Sequence, residues 1–324
     1  MRVVTWWVGR VVFGLVTLVF VLGSPSFAAE PAPAIELAPA DRLGAPPPDE
    51  AEPEEEAEGC CEEGPNLGRV SFSLTSDITT AYFFRGILQE RNGFIWQPAL
   101  DININLFEGE GALTSLDLGV GWWNSVHSNK TLASGSGPTN WYESDVYPSL
   151  SATFVERVAT AVTYQVYTSP NGAFATIQNL DLDLGFDDSD MWGVPFTLSP
   201  GATLSFELDR TNLGDKEGVF LGFALEPTYV AFEEDAYPLT ISAPLALGLS
   251  LSDYYEIPGQ GDDTFGYFSF GLGFGVPLAF IPEDYGSWST SVGIDVYVLG
   301  DNLKEVNFGD SPFPVGTWSL VMEY

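Results

Sequence analysis

The sequence predicts an all-β protein, a transmembrane up-and-down β-barrel of antiparallel strands. Three observations favour this fold. From Gly68 to the last residue, apolar side chains alternate with small or polar ones, as in strands whose two faces meet different environments. The alternating runs are roughly ten residues long, which is the length of a tilted strand that spans a bilayer. Aromatic residues make up 14% of the chain and charged residues only 17%, whereas soluble proteins usually carry more charge.

The alternation defines about 12 candidate strands. In residues 239–251, for example, Leu, Ile or Ala stands at every odd position, and Thr, Ser, Pro, Ala or Gly stands at every even one. An even number of strands suits a closed barrel whose two termini lie on the same side of the membrane. The runs lie near residues 69–77, 94–107, 112–123, 143–155, 157–168, 174–186, 194–209, 217–230, 237–252, 263–276, 286–299 and 314–324.

A soluble β-sandwich shows the same alternation, so further features have to indicate which face meets lipid. The polar face is rich in Gly, Ser, Asp and Asn rather than Lys and Glu, which favours a wet interior. Aromatic residues concentrate towards the ends of the runs, as they do at the two interfaces of a membrane barrel. We therefore favour a membrane barrel, with interfacial aromatics at Trp122, Trp141, Tyr142, Tyr229, Tyr237, Trp288 and Trp318.

Residues 1–28 are interpreted as a signal peptide. Arg2 and Arg10 precede the apolar residues 11–22, and Ser26, Phe27 and Ala28 then supply small residues for cleavage after Ala28. An uncleaved membrane anchor is the alternative, but the apolar stretch is short for a spanning helix. The signal predicts export, and with the barrel it predicts the outer membrane of a bacterial cell.

Residues 29–66 are rich in Pro, Ala and Glu, which predicts a disordered acidic spacer because such a segment buries little apolar surface. It would serve as a periplasmic tether or as a docking tail for a cationic partner. Cys60 and Cys61 near its end are adjacent, and adjacent cysteines pair only with strain. An intermolecular or unpaired role is therefore favoured for them, and the barrel is expected over residues 67–324.

The charge balance excludes several functions. Lys and Arg together number 11, against 45 Asp and Glu, for a formal charge of −34, so nucleic acid is not expected as a partner. One histidine, His127, excludes most zinc sites, and without nucleotide-binding or EF-hand patterns no cofactor is expected. The acidic loops at 187–190 and 261–263 could ligate divalent cations such as Ca²⁺, although isolated acidic loops are usually just solvated.

The end of the chain resembles the outer-membrane assembly signal, in which alternate apolar residues lead to a terminal aromatic one. Here the last residue is Tyr, where Phe is usual. The resemblance implies recognition by the barrel assembly machinery, followed by insertion into outer-membrane lipid. The residues that carry it are Trp318, Leu320, Met322 and Tyr324.

A second resemblance involves residues 74–88, which contain Thr75-Ser76-Asp77 and, further on, Phe84-Arg85-Gly86-Ile87. This run resembles a T-S-D…F-R-G-I run in a family of uncharacterised Gram-negative outer-membrane β-barrel proteins, with extra residues around Thr80, Ala81 and Tyr82. Residues 123–127 and 141–145 look similar to that family too. The resemblance covers the opening part of the barrel and implies a barrel, but it supplies no activity.

The best enzymatic candidate is His127-Ser128-Asn129, which looks similar to a motif of outer-membrane phospholipase A. In that motif His and Ser are two residues apart and share a strand face, so His can act as base for Ser. Here they are adjacent, and Lys130 replaces the following glycine. We therefore expect no enzyme and interpret residues 124–140 as a polar loop.

Three function hypotheses remain. The first is a porin-like channel for small polar or cationic solutes, which small inward residues favour because they leave space. The second is a closed structural or interaction barrel that tethers the outer membrane to a periplasmic or surface partner, and the third is a lumen or membrane-facing hydrolase. For a channel, acids on the inward face predict cation selectivity. These expected lumen-lining acids are Asp101, Asp117, Asp181, Asp183, Glu207, Asp209, Glu226 and Asp295, and Glu323 has the same parity in the last strand.

Overall fold

A computed structural model of the chain describes residues 68–233, 235 and 237–324. The predicted signal peptide, the spacer, Cys60 and Cys61 lie outside the described residues. In chain order the elements are β1 (Val70–Thr79), β2 (Tyr82–Phe84), β3 (Ile87–Glu90), β4 (Ile95–Glu108), β5 (Leu113–His127), β6 (Trp141–Phe154), β7 (Val158–Thr168), β8 (Ile177–Phe186), β9 (Phe196–Thr197), β10 (Gly201–Asp209), β11 (Val219–Leu225), β12 (Thr228–Ala231), β13 (Leu239–Ser242), β14 (Leu245–Ser252), β15 (Phe265–Pro277), β16 (Ser287–Leu299), α1 (Asp301–Val306) and β17 (Phe313–Glu323).

One antiparallel sheet closes into a 12-strand barrel. The first and last strands pair with each other, with Ile78 opposite Trp318, so β17 closes the barrel. Three of the spanning strands are interrupted, between β9 and β10, between β11 and β12, and between β13 and β14. Each interruption contains a proline, which has no N–H to donate to a ladder. The predicted fold class is confirmed, and each predicted run corresponds to one spanning strand.

The two ends of the barrel differ in their connections. The end that carries Val70 and Glu323 has the shorter connections, which range from three residues at 155–157 to nine at 187–195 and 278–286, and is called the turn rim. The opposite end carries residues 80–94, 128–140, 169–176, 210–218, 253–264 and 300–312 and is called the loop rim. Bacterial outer-membrane barrels have short turns on the periplasmic side and longer loops outside.

The outer surface is an apolar band. Outward side chains such as Ile102, Val120, Phe270 and Ile294 are exposed, and a closed barrel with this exterior suits lipid. No helix among the described residues is long and apolar enough to cross a membrane. The interfacial prediction was wrong for Tyr142, whose side chain is buried and stacks on His127 with ring centroids 4.7 Å apart.

The segment between β1 and β4 folds into the barrel. β2 and β3 form a hairpin of their own, without a ladder to the wall, and Ala81, Tyr82, Phe83, Phe84 and Arg85 are all buried. Its two-residue turn has φ of 46° at Arg85 and 80° at Gly86. Positive φ at both positions is the type I′ geometry, which suits the twist of a tight hairpin and favours glycine. The alternation of apolar and polar residues predicted no strand in this segment.

Candidate functional site in the lumen

The predicted lumen acids lie mainly on inward strand positions. Asp101 and Asp117 are half-buried, whereas Asp181, Asp183 and Glu207 are buried. Asn105 donates to Asp117 at 2.8 Å, and Thr203 donates to Asp183 at 2.7 Å. The remaining three are Asp295, half-buried in β16, Glu226, in the interruption between β11 and β12, and Asp209, exposed at the loop rim after a β-bulge.

Three further buried carboxylates were missed. Asp77 lies in β1, and Glu143 and Asp145 lie in β6. All three have odd residue numbers, and near the loop rim the buried residues of β1 are odd-numbered, as are those of β6 apart from Tyr142. The same alternation that located Asp181 would have found them, because inward positions recur every second residue.

Arg85 at the hairpin tip is held by groups from distant parts of the chain. Its guanidinium donates to Asp181 Oδ2 at 2.9 Å and to the Tyr254 hydroxyl at 3.3 Å. The guanidinium carbon lies 4.7 Å from the centre of the Phe220 ring and 5.8 Å from that of Tyr254. The hydroxyl of Tyr255 donates to the Arg85 carbonyl at 2.9 Å. The tip is therefore fixed by an ion pair, aromatic faces and a backbone contact.

The carboxylate of Asp181 is fully engaged. Ser205 donates a short hydrogen bond to Oδ1, and Gln165 Nε2 donates to Oδ2 at 3.3 Å, beside Arg85. Neighbouring Glu207 accepts from the backbone N–H groups of Asn212 and Gly218. A buried carboxylate needs such partners because the loss of its hydration costs roughly several kcal/mol.

The other hairpin side chains fill the loop-rim half of the lumen. The Tyr82 hydroxyl donates to Glu143 Oε2 at 3.0 Å, and its ring lies 5.3 Å from that of Trp123. Phe84 packs edge-on against Tyr167. On the other side of the hairpin, Phe83 stacks on Tyr297 with ring centroids 4.7 Å apart.

The loop after α1 also fixes the hairpin. Asn307 accepts a hydrogen bond from the backbone N–H of Leu88 at 2.9 Å and donates to the carbonyl of Gly86 at 2.7 Å. The Asn307 side chain thus makes the two hydrogen bonds to the hairpin backbone that a neighbouring strand would otherwise make. Leu303 of α1 packs in the same cluster as Phe83 and Ile87.

The structure also changes the interpretation of His127. β5 extends to His127, so residues 124–127 are strand rather than loop, and Ser128 accepts from Phe94 N instead of meeting the imidazole. Ser125, two residues before His127, lies 2.8 Å from Nε2, while Thr131 lies 2.8 Å from Nδ1 and donates to Glu90. Ser125 and His127 are buried, so substrate has no access, and the relay ties the base of the hairpin to the wall.

Small inward residues do not leave the space that the sequence analysis expected in the loop-rim half. A Cβ on Gly121 would lie 1.8 Å from the Tyr147 ring, and one on Gly248 would lie 2.2 Å from the Tyr267 ring. The glycines make room for aromatic side chains of neighbouring strands. The expectation of open space was therefore wrong for this half, because aromatic rings of neighbouring strands fill the space beside the glycines.

The turn-rim half of the lumen is open on the side of β1 and β4–β6, whereas Ala161 and Asp183 on β7 and β8 are buried. A cavity of about 600 Å³ lies at its mouth, and Asn103, on an inward position of β4, is exposed. The cavity is lined by Gly68, Arg69, Asn105, Glu108, Thr114, Ser115, Thr153 and Glu156.

The acidic loops at 187–190 and 261–263 each contain an aspartate that accepts hydrogen bonds from backbone N–H groups. Asp188 accepts from the N–H groups of Leu198 and Ser199 and from the Trp192 indole. Burial raises the pKa of Asp188, but these donors outweigh it and lower the pKa below its ordinary value. Asp262 accepts from Ser250 and from two backbone N–H groups. Within the described ranges no group of three His, Cys, Asp or Glu is placed to hold a metal ion.

The predicted assembly residues lie on β17 and at its end. Trp318 and Tyr324 are exposed, and the ring of Tyr324 stacks on Phe72 with centroids 5.3 Å apart. Leu320 is half-buried and Met322 is buried. Since β17 pairs with both β1 and β16, the predicted signal lies in the strand that closes the barrel.

No protein-family model matches the sequence, and no curated protein matches it either. Solved structures do resemble the chain. An outer-membrane channel from Pseudomonas putida F1 has a TM-score of 0.45 at 10% identity, over 79% of this chain and 95% of that one. The translocator domain of the autotransporter NalP from Neisseria meningitidis has a TM-score of 0.35 at 12% identity, over 79% and 87%. Outer-membrane OmpT of Vibrio cholerae has a TM-score of 0.31 at 10% identity, over 79% and 96%. Identities this low concern the fold alone.

Proposed function

We propose that this chain is a channel of a bacterial outer membrane for small polar or cationic solutes, closed at its loop-rim end by the β2–β3 hairpin. The contrast between the two faces of the wall carries the proposal. The outside is an apolar band, whereas the inside presents carboxylates, amides and hydroxyls along its length. A polar interior inside an apolar exterior is the construction of a barrel that conducts polar solutes.

The charges of the lumen favour cations. Among the described Lys and Arg residues only Arg85 is buried, and it belongs to the hairpin rather than to the wall. With the hairpin withdrawn, acids would dominate the wall, and rings of Asp and Glu favour cations over anions. A low-dielectric wall focuses that field, and high salt screens it.

The closed structural barrel is the second candidate. The observation that favours it is the filled loop-rim half, where the hairpin and the side chains of Tyr142, Tyr254 and Tyr255 are buried. In that case the hairpin would be a permanent part of the core. The two candidates differ in whether the barrel conducts once the hairpin is gone.

The test is to replace residues 82–90 with a nine-residue Gly-Ser linker and measure single-channel conductance in planar bilayers. We expect the variant to conduct steadily and to prefer cations in a KCl gradient, and the parent chain to conduct far less. The control places the same linker at 278–286, at the turn rim, and should conduct like the parent. A folded, heat-modifiable variant without conductance would favour the structural barrel, and anion preference would contradict cation transport.

A further inference from the structure

The pocket around Arg85 has the composition of a guanidinium site. The wall supplies one carboxylate, Asp181 at 2.9 Å, and the face of Phe220 at 4.7 Å, while the loop at 253–264 supplies the hydroxyl of Tyr254 at 3.3 Å. A planar guanidinium combines hydrogen bonding to carboxylate with stacking on aromatic rings, which an ammonium group does less well. The barrel and its loops build most of this pocket, whereas the hairpin contributes the cation and the ring of Phe84, 5.2 Å from the guanidinium carbon.

The wall beside this pocket offers more hydrogen-bonding groups than the hairpin uses. Buried polar atoms without a hydrogen-bond partner lie on β5, β7 and β8, all at inward positions: Trp123 Nε1, Thr163 Oγ1, Gln165 Oε1, Tyr167 Oη and Asn179 Oδ1. Asp145 lies directly between Trp123 and Tyr167 in the register. Each unpartnered buried group costs about 1–3 kcal/mol, so the hairpin complements this wall incompletely, and a polar ligand would complement it better.

The hairpin is attached in a way that allows exchange. It shares no ladder with the barrel, and side chains make most of its polar contacts, as at Arg85, Tyr82 and Asn307. Asp181 lies four residues from the loop-rim end of β8. Asp183, the next inward residue towards the turn rim, is buried as well, so a solute reaches the Asp181 carboxylate only as the hairpin moves away from it.

We propose that this pocket binds solutes that carry a guanidinium group, and that they compete with Arg85 for Asp181 and so release the hairpin. The proposal deepens the channel function and rests on it for the release step, but binding to the pocket does not depend on conduction. Tyr82 and Phe84, on the flank towards β5–β7, occupy the space that the remainder of such a solute would take.

The experiment is chemical rescue of Arg85→Ala in the full chain, with guanidinium ion as the probe at millimolar concentrations. We expect Arg85→Ala to conduct more than the parent chain, and added guanidinium to reduce that conductance saturably. Methylammonium, which cannot form the planar pair, should act about tenfold more weakly or not at all. The same series measured as thermal unfolding in detergent should show guanidinium raising the Tm of Arg85→Ala.

Two further variants locate the effect. Adding Asp181→Asn to Arg85→Ala should weaken the apparent affinity for guanidinium about tenfold or more, and Phe220→Leu should weaken it in the same direction if Asp181→Asn folds poorly. The control is Arg91→Ala, which removes an exposed arginine paired with Asp310 and should show no rescue.

The outcomes separate the two proposals. If no variant conducts but guanidinium still raises the Tm of Arg85→Ala through Asp181, the channel proposal fails and the binding site stands. If the hairpin-less barrel conducts but methylammonium matches guanidinium, or Asp181→Asn leaves the affinity unchanged, the guanidinium site is refuted and the channel stands.

Discussion

The loop-rim and turn-rim halves of this lumen are built from the same strands but filled differently. In β6 the inward residues near the loop rim are Glu143, Asp145 and Tyr147, and those near the turn rim are Ser149, Ser151 and Thr153. The large residues contact the hairpin and one another, and the small ones lead towards the cavity, which Thr153 lines. The difference shows that the inward face of a spanning strand can encode a plug at one end and an opening at the other.

The charges differ between the halves as well. Near the loop rim, Asp181 and Glu207 are buried and taken up by Arg85, Ser205 and backbone N–H groups. Asp101 and Asp117 lie further from the loop rim, and these two acids and Asp295 are only half-buried. Acids that face the open part of the lumen are the ones whose field a passing ion would feel, so the two sets should respond differently to neutralisation.

The largest effect is expected from neutralising the half-buried acids. In the barrel with the linker at 82–90, changing Asp101, Asp117 and Asp295 to Asn should strongly reduce the cation preference, because it removes three inward carboxylates that are accessible to a passing ion. Reversal potentials in a KCl gradient measure this. Asp209→Asn, at an exposed position on the loop rim, is the control and should leave the reversal potential unchanged. An unaltered preference in the triple variant would mean that the halves do not differ in this way.

A smaller effect should follow from overfilling the loop-rim half. Gly248→Ala places a Cβ 2.2 Å from Tyr267 and 3.0 Å from Phe220, and overpacking of this kind costs about 3 kcal/mol. Gly293→Ala is the matched control, since the nearest atom to its Cβ is 3.5 Å away. Urea unfolding in detergent should show a lower midpoint for the first variant and little change for the second. Equal midpoints would indicate that the rings of Tyr267 and Phe220 rearrange around the added methyl group without a cost in stability.

Tyr82→Phe tests how much one hydrogen bond between the hairpin and the wall stabilises the loop-rim half. It removes the donor to Glu143 at 3.0 Å and leaves a buried carboxylate with fewer partners, which should cost about 2 kcal/mol. The control is Tyr164→Phe, which removes an outward hydroxyl bonded to Gln178 and should cost less. If both variants unfold at the same urea concentration, the hydroxyl does not secure the hairpin.

The smallest effect is expected at the turn rim, at Asp188. The pKa of its carboxyl is lower in the folded chain than the unfolded value of about 3.9. Its contribution to the free energy of unfolding is therefore complete above about pH 5 and is lost as the pH falls through the folded pKa. Asp188→Asn should cost about 1 kcal/mol at pH 7 and should remove that part of the acid dependence, measured by urea midpoints from pH 3 to pH 7. A variant with the parent's pH profile would assign the acid dependence to other groups.

The alternation of side chains was sufficient to locate twelve spanning strands and the inward positions of acids such as Asp101 and Asp295. It failed for Tyr142, which aromatic clustering assigned to the interface, and for residues 124–127, which a polar composition assigned to a loop. In both places the residue type was misleading, because Tyr142 and His127 are buried against Tyr82 of the hairpin and Tyr142 also donates to Gln89. Composition describes a residue's average preference, and neighbours decide the individual case.

The sequence by itself determined the strand number, the apolar exterior and the acidic interior, because a period of two depends only on the local backbone and on which solvent each face meets. Only the tertiary structure decided that residues 82–90 fold into the lumen. That outcome depends on partners remote along the chain, such as Asp181, 96 residues from Arg85, and Asn307, 221 residues from Gly86. A loop that lies across a rim and a loop that enters the barrel can have the same local sequence. Which of the two forms depends on the side chains inside the barrel that bind the loop.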